Sequence, residues 1–397
     1  MVIGYNNMSI KAILNVSKRE IKEIINDKLY LCVVLILPLT MLLFFTIMFH
    51  DGAIDNLPIA ICDSDHSTMS RRLKRALSAT PGVEIAAEPA SINDAERMML
   101  EGKVYGIVVI EDGFESMIYQ GIPTHVECYT SGANISTCGV VERATQEVVQ
   151  TFSATISASK LISKGYSEDD VLIEVMPINF HTNIIGNPYL NYGYYLAPIF
   201  IFMGIVIFIV TSTIYAIGRE LKYGTTLSWL QSANGSLLIA MTGKLLPIYI
   251  IMTLIALIAC LIIFVIMCMI NAGSYIILTL DIAILIIAYQ SVAIFIISMT
   301  SNLRLGLSLG GGYAVMAFTF SGITFPTMAM FSLPRILSHI FPFTYFSDIF
   351  IDEAMYGTPT RFVIWRFMPL IAFTLLAPLS WHRLQRITTI KVYWERD

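Results

Sequence analysis

The sequence predicts an α-helical polytopic membrane protein of six transmembrane helices, with an extracytoplasmic α/β domain inserted between the first and the second. Three observations carry this. Hydrophobic residues make up 56% of the 397 positions and charged residues only 14%, where a soluble domain carries about 25% charged residues. Six apolar runs are long enough to cross a hydrocarbon core about 30 Å thick. Of the 29 Asp and Glu residues, 19 fall between Asp51 and Glu174, so the one long polar block faces water and the rest is solvated by the lipid bilayer. The small net charge of −4 argues against a nucleic-acid partner.

Residues 1–28 form a lead-in. Ile10, Ile13, Leu14, Ser17, Ile21, Ile24 and Ile25 share one helical face, while Lys11, Lys18, Arg19, Lys22 and Lys28 project elsewhere. A basic amphipathic helix lying in the headgroup layer and a solvated lead-in both fit this pattern. Residues 29–49 are the first span, read as a permanent anchor because no small-x-small cleavage pattern follows it.

The water-facing domain covers residues 50–193. Its β-type runs are Leu57 to Cys62, Val83 to Ala87, Tyr105 to Ile110 and Thr124 to Thr130. Helical stretches alternate with them at Ser67 to Ala79, Ile92 to Glu101, Gly113 to Tyr119 and Ile135 to Lys164, and an extended stretch follows at Leu172 to Phe180. Such alternation predicts a sheet covered by helices. Asp63 and Asp65, followed by Ser67, Ser70 and Arg71, mark a strand end and helix cap; capping outweighs a metal site there. Among the six cysteines, Cys128 and Cys138 could pair in an oxidising space, but no Cys, His or acid cluster has metal-ligand spacing, so no metal is expected.

Five further spans occupy residues 194–380: Tyr194 to Ile217, Leu245 to Ile270, Tyr275 to Met299, Leu305 to Ile323 and Phe362 to Leu379. Asp281 is the one clear acid inside a run. It lies near enough to one end to snorkel, and it has no titratable partner in another span. Gly306, Gly310, Gly311 and Gly312 allow close helix approach. Residues 325–360 are apolar yet broken by Pro326, Pro334 and Pro342, which predicts two short re-entrant or interfacial helices, with Tyr345 in the interfacial belt. Lys and Arg are concentrated before the first span, in residues 218–244 and in the tail, residues 381–397. By the positive-inside rule both termini and the 218–244 loop are cytoplasmic, and the α/β domain is outside.

The chemistry is chiefly negative. No GxxxxGK[ST], HExxH or GxSxG occurs, so the chain has no phosphate-cradling loop of its own and is not expected to be an enzyme. The charged stretch Gly218 to Leu230, reading GRELKYGTTLSWL, interrupts two apolar runs and is the place where a separate motor could act.

Several patterns then agree in order. ICDSDHSTMSRRL at Ile61 to Leu73, GNPYLNYGYYLAP at Gly186 to Pro198, GRELKYGT at Gly218 to Thr225, SGITFP at Ser321 to Pro326 and FPFTYF at Phe341 to Phe346 resemble ABC transporter permeases of the type-2 exporter class, in the branch with a large periplasmic domain after the first span. The resemblance implies a non-catalytic half-transporter of the bacterial inner membrane. It would pair with a second permease copy, identical or sister, and export a drug-like or lipophilic compound. Separate ABC ATPase subunits would bind ATP and Mg, and a periplasmic adaptor and outer-membrane duct could join. It assigns Arg219, Glu220, Gly224 and Thr225, with Lys222 between them, to the ATPase-coupling loop, and Phe325, Pro326, Pro342 and Tyr345 to the outer re-entrant segment. The sequence departs from the family at Lys222 and Leu227, where acids are usual. Two other functions stay open: an ion-coupled transporter using Asp281, and a non-transporting receptor or scaffold with a ligand-binding outer domain.

Overall fold

The computed structural model describes residues 10–50, 52, 54–167, 171, 175, 184–187, 191–323 and 325–394. Contacts divide the chain into a helical unit, Met1–Gly52 with Ile184–Asp397, and a second unit, Ala53–Asn183.

Helix α1 spans Ile10–Asn26, and the first span, α2, runs over Lys28–Met48. Asp27 separates them because its carboxylate accepts the N–H groups of Leu29 (3.0 Å) and Tyr30 (3.2 Å), an N-cap that starts a new helix. A π-helical turn at Cys32–Ile36 precedes Pro38, which has no N–H to continue the α ladder. The face that α1 buries shares only Ser17 and Ile24 with the apolar stripe. Ala12, Val16, Ser17, Glu20 and Ile24 point into the unit, while Ile10, Leu14, Ile21 and Ile25 are exposed. An isoleucine stripe turned away from protein suits the headgroup layer rather than a solvated lead-in.

The second unit is a four-stranded sheet of order β2-β1-β3-β4, with β1 Leu57–Asp63, β2 Val83–Ala87, β3 Gly106–Ile110 and β4 Val126–Thr130. β1 is parallel to β2 and β3, and β4 is antiparallel to β3. Its helices are α3 Thr68–Ser78, α4 Ile92–Leu100, α5 Phe114–Gln120 and α6 Ile135–Ser163. Strand alternation explains two cores: Ile59 and Ile61 meet Leu73, Leu77 and Val141 on one face, while Ala60 and Cys62 meet Ala95 on the other. Ser67, Ser91 and Asn134 cap three of the helices. Gly106 lets α6 approach closely, since a Cβ there would lie 2.6 Å from Val141. All six cysteines are free, so Cys128 and Cys138 do not pair; the Cys138 thiol sits 3.0 Å from the Thr130 hydroxyl instead. The stretch expected at Leu172 to Phe180 lies outside the described residues.

The helical unit continues with α7 (Tyr192–Lys222), a short α8 (Thr226–Ser232), α9 (Leu237–Ile266), α10 (Tyr275–Thr300) and α11 (Leu303–Phe320). Then come α12 (Ser332–Ser338), α13 (Pro342–Ile351) and the broken last span α14 (Thr360–Thr389). With α2, six of these helices are long and apolar enough to cross a membrane. Two differ from expectation in a way that matters. α7 continues through Arg219, Glu220 and Lys222, and α9 begins at Leu237, so Lys244 is helical rather than part of a loop. The connection shrinks to residues 223–236.

α7 is the central helix. On α11, a Cβ at Gly306 would meet Ile214 at 3.1 Å and one at Gly310 would meet Val210 at 2.8 Å, so these two glycines serve helix contact. Gly311 and Gly312 face open space. α12 and α13 are two short helices, and Pro342 begins α13 at a position where its missing N–H costs nothing. Phe343, Phe346 and Phe350 are buried, Phe346 at 5.0 Å from Phe202 of α7.

Candidate functional site

Glu220 lies in the last turn of α7 and is 4% exposed. Lys244 of α9 donates to its Oε1 at 2.9 Å, Arg19 of α1 approaches the same oxygen at 3.0 Å, and the Thr225 hydroxyl donates to Oε2. Lys244, only 2% exposed, also donates to Glu20, and Glu20 accepts from Tyr30 at 2.6 Å. Two cations and two anions thus cancel inside an apolar bundle, which is what lets them be buried at all. A second group adjoins: Arg219 pairs with Glu23 and stands 3.7 Å from Asp27, whose carboxylate accepts from Tyr215 at 2.7 Å. Burial works against the ionisation of Asp27, but Tyr215, the Tyr30 N–H and Arg219 outweigh it and hold its carboxyl below the usual range.

The connection is folded onto this network. Gly224 has φ +65°, the left-handed geometry that ends a helix. Beyond it the Thr225 N–H reaches back to Glu220 O at 3.0 Å. The Thr226 hydroxyl donates to the same carbonyl at 3.1 Å. Trp229 of α8 is fully buried, donates from Nε1 to Ala240 O at 3.2 Å, and carries the Lys244 ammonium 5.1 Å above its ring. Ser17 of α1 donates to Gly243 O at 2.8 Å, and a Cβ at Gly243 would lie 2.6 Å from Val16. α1, α7, α8 and α9 therefore meet as one block. A cavity of about 250 Å³ opens beside it, lined by Glu23, Arg219, Glu220, Tyr223 and Thr225.

The sequence-assigned residues split in a way that periodicity did not show. Glu220 faces inward, Arg219 is largely occupied by α1, and Lys222 is half-buried beside the Tyr223 ring. The exposed side of the connection is Tyr223, Thr225, Leu227, Ser228 and Gln231. Arg19, Glu20, Lys244 and Trp229 went unassigned. One signal existed: Glu20, Glu23 and Asp27 are spaced to share a face of α1, an acidic stripe beside a basic one.

The other assigned residues are elsewhere. Asp63, at the end of β1, accepts from the His66 N–H (3.0 Å) and the Ser70 hydroxyl (2.9 Å) and pairs with Lys74 at 3.1 Å. Asp65 accepts the Glu115 N–H at 3.1 Å, and Arg71 donates to His66 O at 2.7 Å. Burial opposes ionisation of Asp63, yet His66, Lys74 and Ser70 hold its carboxyl below the usual range. These contacts organise a loop. Glu111, His125 and Glu127 come together as a metal-type group on the sheet edge, because antiparallel register sets β3 and β4 side by side; His125 stands 3.4 Å from Glu111, and both are exposed. Phe325 and Pro326 are exposed, and Tyr345 donates to His339 O at 3.3 Å. Asp281 does not snorkel: it is 0% exposed, and neither carboxylate oxygen has a hydrogen-bond partner among the described residues.

Residues 28–379 match the family model described as ABC-2 family transporter protein. The chain belongs to the ABC-2 transporter family. Members generally work with ABC ATPase partners, and the ABC-2 membrane component is typically non-enzymatic. Neither the curated proteins nor the solved structures give a match. In this ABC-2 protein the matched region runs from the start of the first span to within the last, and it includes Glu220, Lys244 and Trp229 but not Arg19 or Glu20.

Proposed function

We propose that this ABC-2 protein is the membrane-spanning permease subunit of an ATP-driven exporter, and that ATPase subunits act on it through the connection between α7 and α9. The observation that carries the reading is the buried Arg19–Glu220–Lys244–Glu20 network beneath α8. A partner pressing on α8 cannot deform the connection alone, because Trp229 and Glu220 tie it to α1 and to two spans. Displacement is passed on as rigid-body motion. The contact face is then the exposed side, Tyr223, Leu227, Ser228 and Gln231, while Arg219, Glu220, Gly224 and Thr225 build the lever. Apolar Leu227 where the family has an acid becomes a surface contact.

The clustered Lys and Arg support a cytoplasmic side for this end of the bundle and both termini, and an outer side for the α/β unit; the bacterial inner membrane is part of the same reading. ATP and Mg belong to the partner ATPase. A second permease copy completes the path, the cargo is drug-like or lipophilic, and an adaptor and duct would carry it on. Phe325, Pro326, Pro342 and Tyr345 belong to the outer segment, where exposed Phe325 and Phe331 suit an interfacial position.

The test is capture of the ATPase from native membranes by the tagged chain. Leu227→Arg leaves insertion and melting unchanged but loses the ATPase. Retention of the ATPase at wild-type yield would remove the proposed contact face.

A further inference from the structure

The α/β unit carries a cleft that covering a sheet does not require. α6 has 29 residues, about 43 Å of helix. The strands have five to seven residues, about 17–23 Å. The buried residues of α6, Thr137, Val141, Ala144 and Thr145, all lie in its first half. Its second half, with α3 and α5, walls a cavity of about 390 Å³, a size that holds a small organic ligand.

The lining is apolar with two cations. Met69 of α3, Ile118 of α5 and Phe152 of α6 are partly buried against the core of Ile61, Leu73 and Val141, and they also line the cavity. Ile156, one turn beyond Phe152, continues that surface. Thr155 and Ser159 line it too, but their hydroxyl protons go to Thr151 O and Thr155 O, each at 2.8 Å. They therefore present acceptors, not donors. The charged lining residues are Arg72 and Lys160, and no Asp or Glu accompanies them.

Neither cation is neutralised. The other basic residues of α3 are occupied: Arg71 donates to His66 O, Lys74 pairs with Asp63 and Glu88, and Arg75 donates to Arg71 O. Arg72 is exposed and makes no hydrogen bond or ion pair among the described residues. Lys160 donates to Ile118 O at 3.2 Å, which holds its ammonium at the α5 wall without a carboxylate partner. This local sign opposes that of the unit, where 19 Asp and Glu between Asp51 and Glu174 face nine Lys and Arg.

We propose that this cleft binds a small amphipathic anion, a single-chain or aromatic carboxylate. The apolar body lies against Met69, Phe152 and Ile156, and burying it supplies most of the affinity. The carboxylate is met by the planar donor fork of Arg72 or by the remaining N–H groups of Lys160, which selects the sign of the ligand. The volume suits a small molecule, whereas a stable protein partner buries about 800 Å² on each side.

The test uses the full chain in phosphatidylcholine nanodiscs without any ATPase, so its failure and that of the coupling proposal are separate. Two photoreactive probes share a diazirine-bearing dodecyl body; one ends in a carboxylate and the other in trimethylammonium. Peptide mapping after irradiation should show saturable labelling by the carboxylate probe at residues 69–72, 118–119 and 152–160. That labelling should exceed the ammonium probe's by about tenfold at equal concentration, while the spans, labelled by both, give the internal reference. Arg72→Gln with Lys160→Gln, both exposed, should melt with wild type and lose about tenfold in labelling. Ile156→Trp fills the cavity and should abolish labelling with both charges intact. Equal labelling by the two probes, labelling that does not saturate, or labelling retained in either variant would overturn the site.

Discussion

Replacing Glu220 by Gln tests the buried network most directly. The change keeps shape and one carbonyl acceptor but withdraws the charge that Lys244 meets at 2.9 Å and Arg19 at 3.0 Å. Both Glu220 and Lys244 are nearly inaccessible to water, so solvent cannot replace the lost partner. Arg19 already has one buried Nη1 without a hydrogen bond. Breaking a buried pair from one side costs about 3–5 kcal/mol, and the retained acceptor places Glu220→Gln toward the lower end. At roughly 2–4 °C per kcal/mol for units of about this size, the helical unit should melt some 6–12 °C lower. Lys244→Met should cost a comparable amount, because Glu20 and Glu220 then lose their shared cation. The double variant is the decisive one. With Glu220 and Lys244 both neutral, Arg19 and Glu20 still balance, so it should be less destabilised than the sum of the singles by about 2 kcal/mol or more. Thermal unfolding in nanodiscs reads all three. Singles that melt with wild type, or a double that equals the sum, would refute the view that these charges act as one buried unit.

Other outcomes follow from single contacts. Gly224→Ala forces a Cβ into left-handed geometry at a cost of about 1–2 kcal/mol, and Gly224→Asn should be milder; melting and ATPase capture rank the two. Gly310→Val overpacks the α7–α11 contact and should cost about 1–3 kcal/mol, while Gly312→Val, facing open space, should be silent in the same melt. The lowered pKa of Asp63 means its contribution is present above the unfolded value near 3.8 and is lost as the pH falls through the folded one. Asp63→Asn should therefore be less stable than wild type at neutral pH and converge with it in acid, followed by limited proteolysis of the α/β unit.

Local signals were legible and non-local ones were not. The four strands and the helices between them were readable because alternation, and the cap at Ser67, act within a few positions of one another. Span existence was equally plain from apolar length. The ends of the second and third spans were misplaced because a pattern reading stops at a charge, whereas Glu220 and Lys244 stay helical by neutralising each other across 24 positions. Which side of α1 packs on protein was not legible for a related reason: it depends on the third span, which meets Val16, Ser17 and Glu20 where Gly243 allows close approach.

The charged interruption Gly218 to Leu230 shows the division most clearly. By itself the sequence determined that this stretch lies at the end of a span and carries charge, since hydropathy is a property of neighbouring residues; that the helix runs on to Lys222 and closes at Gly224 came from the structure. Only the tertiary structure decided which of its side chains face outward. Glu220 turns inward because Arg19 and Lys244, contributed by two other helices, lower the cost of burying it, and Leu227 is left exposed because Trp229 takes the buried position on α8.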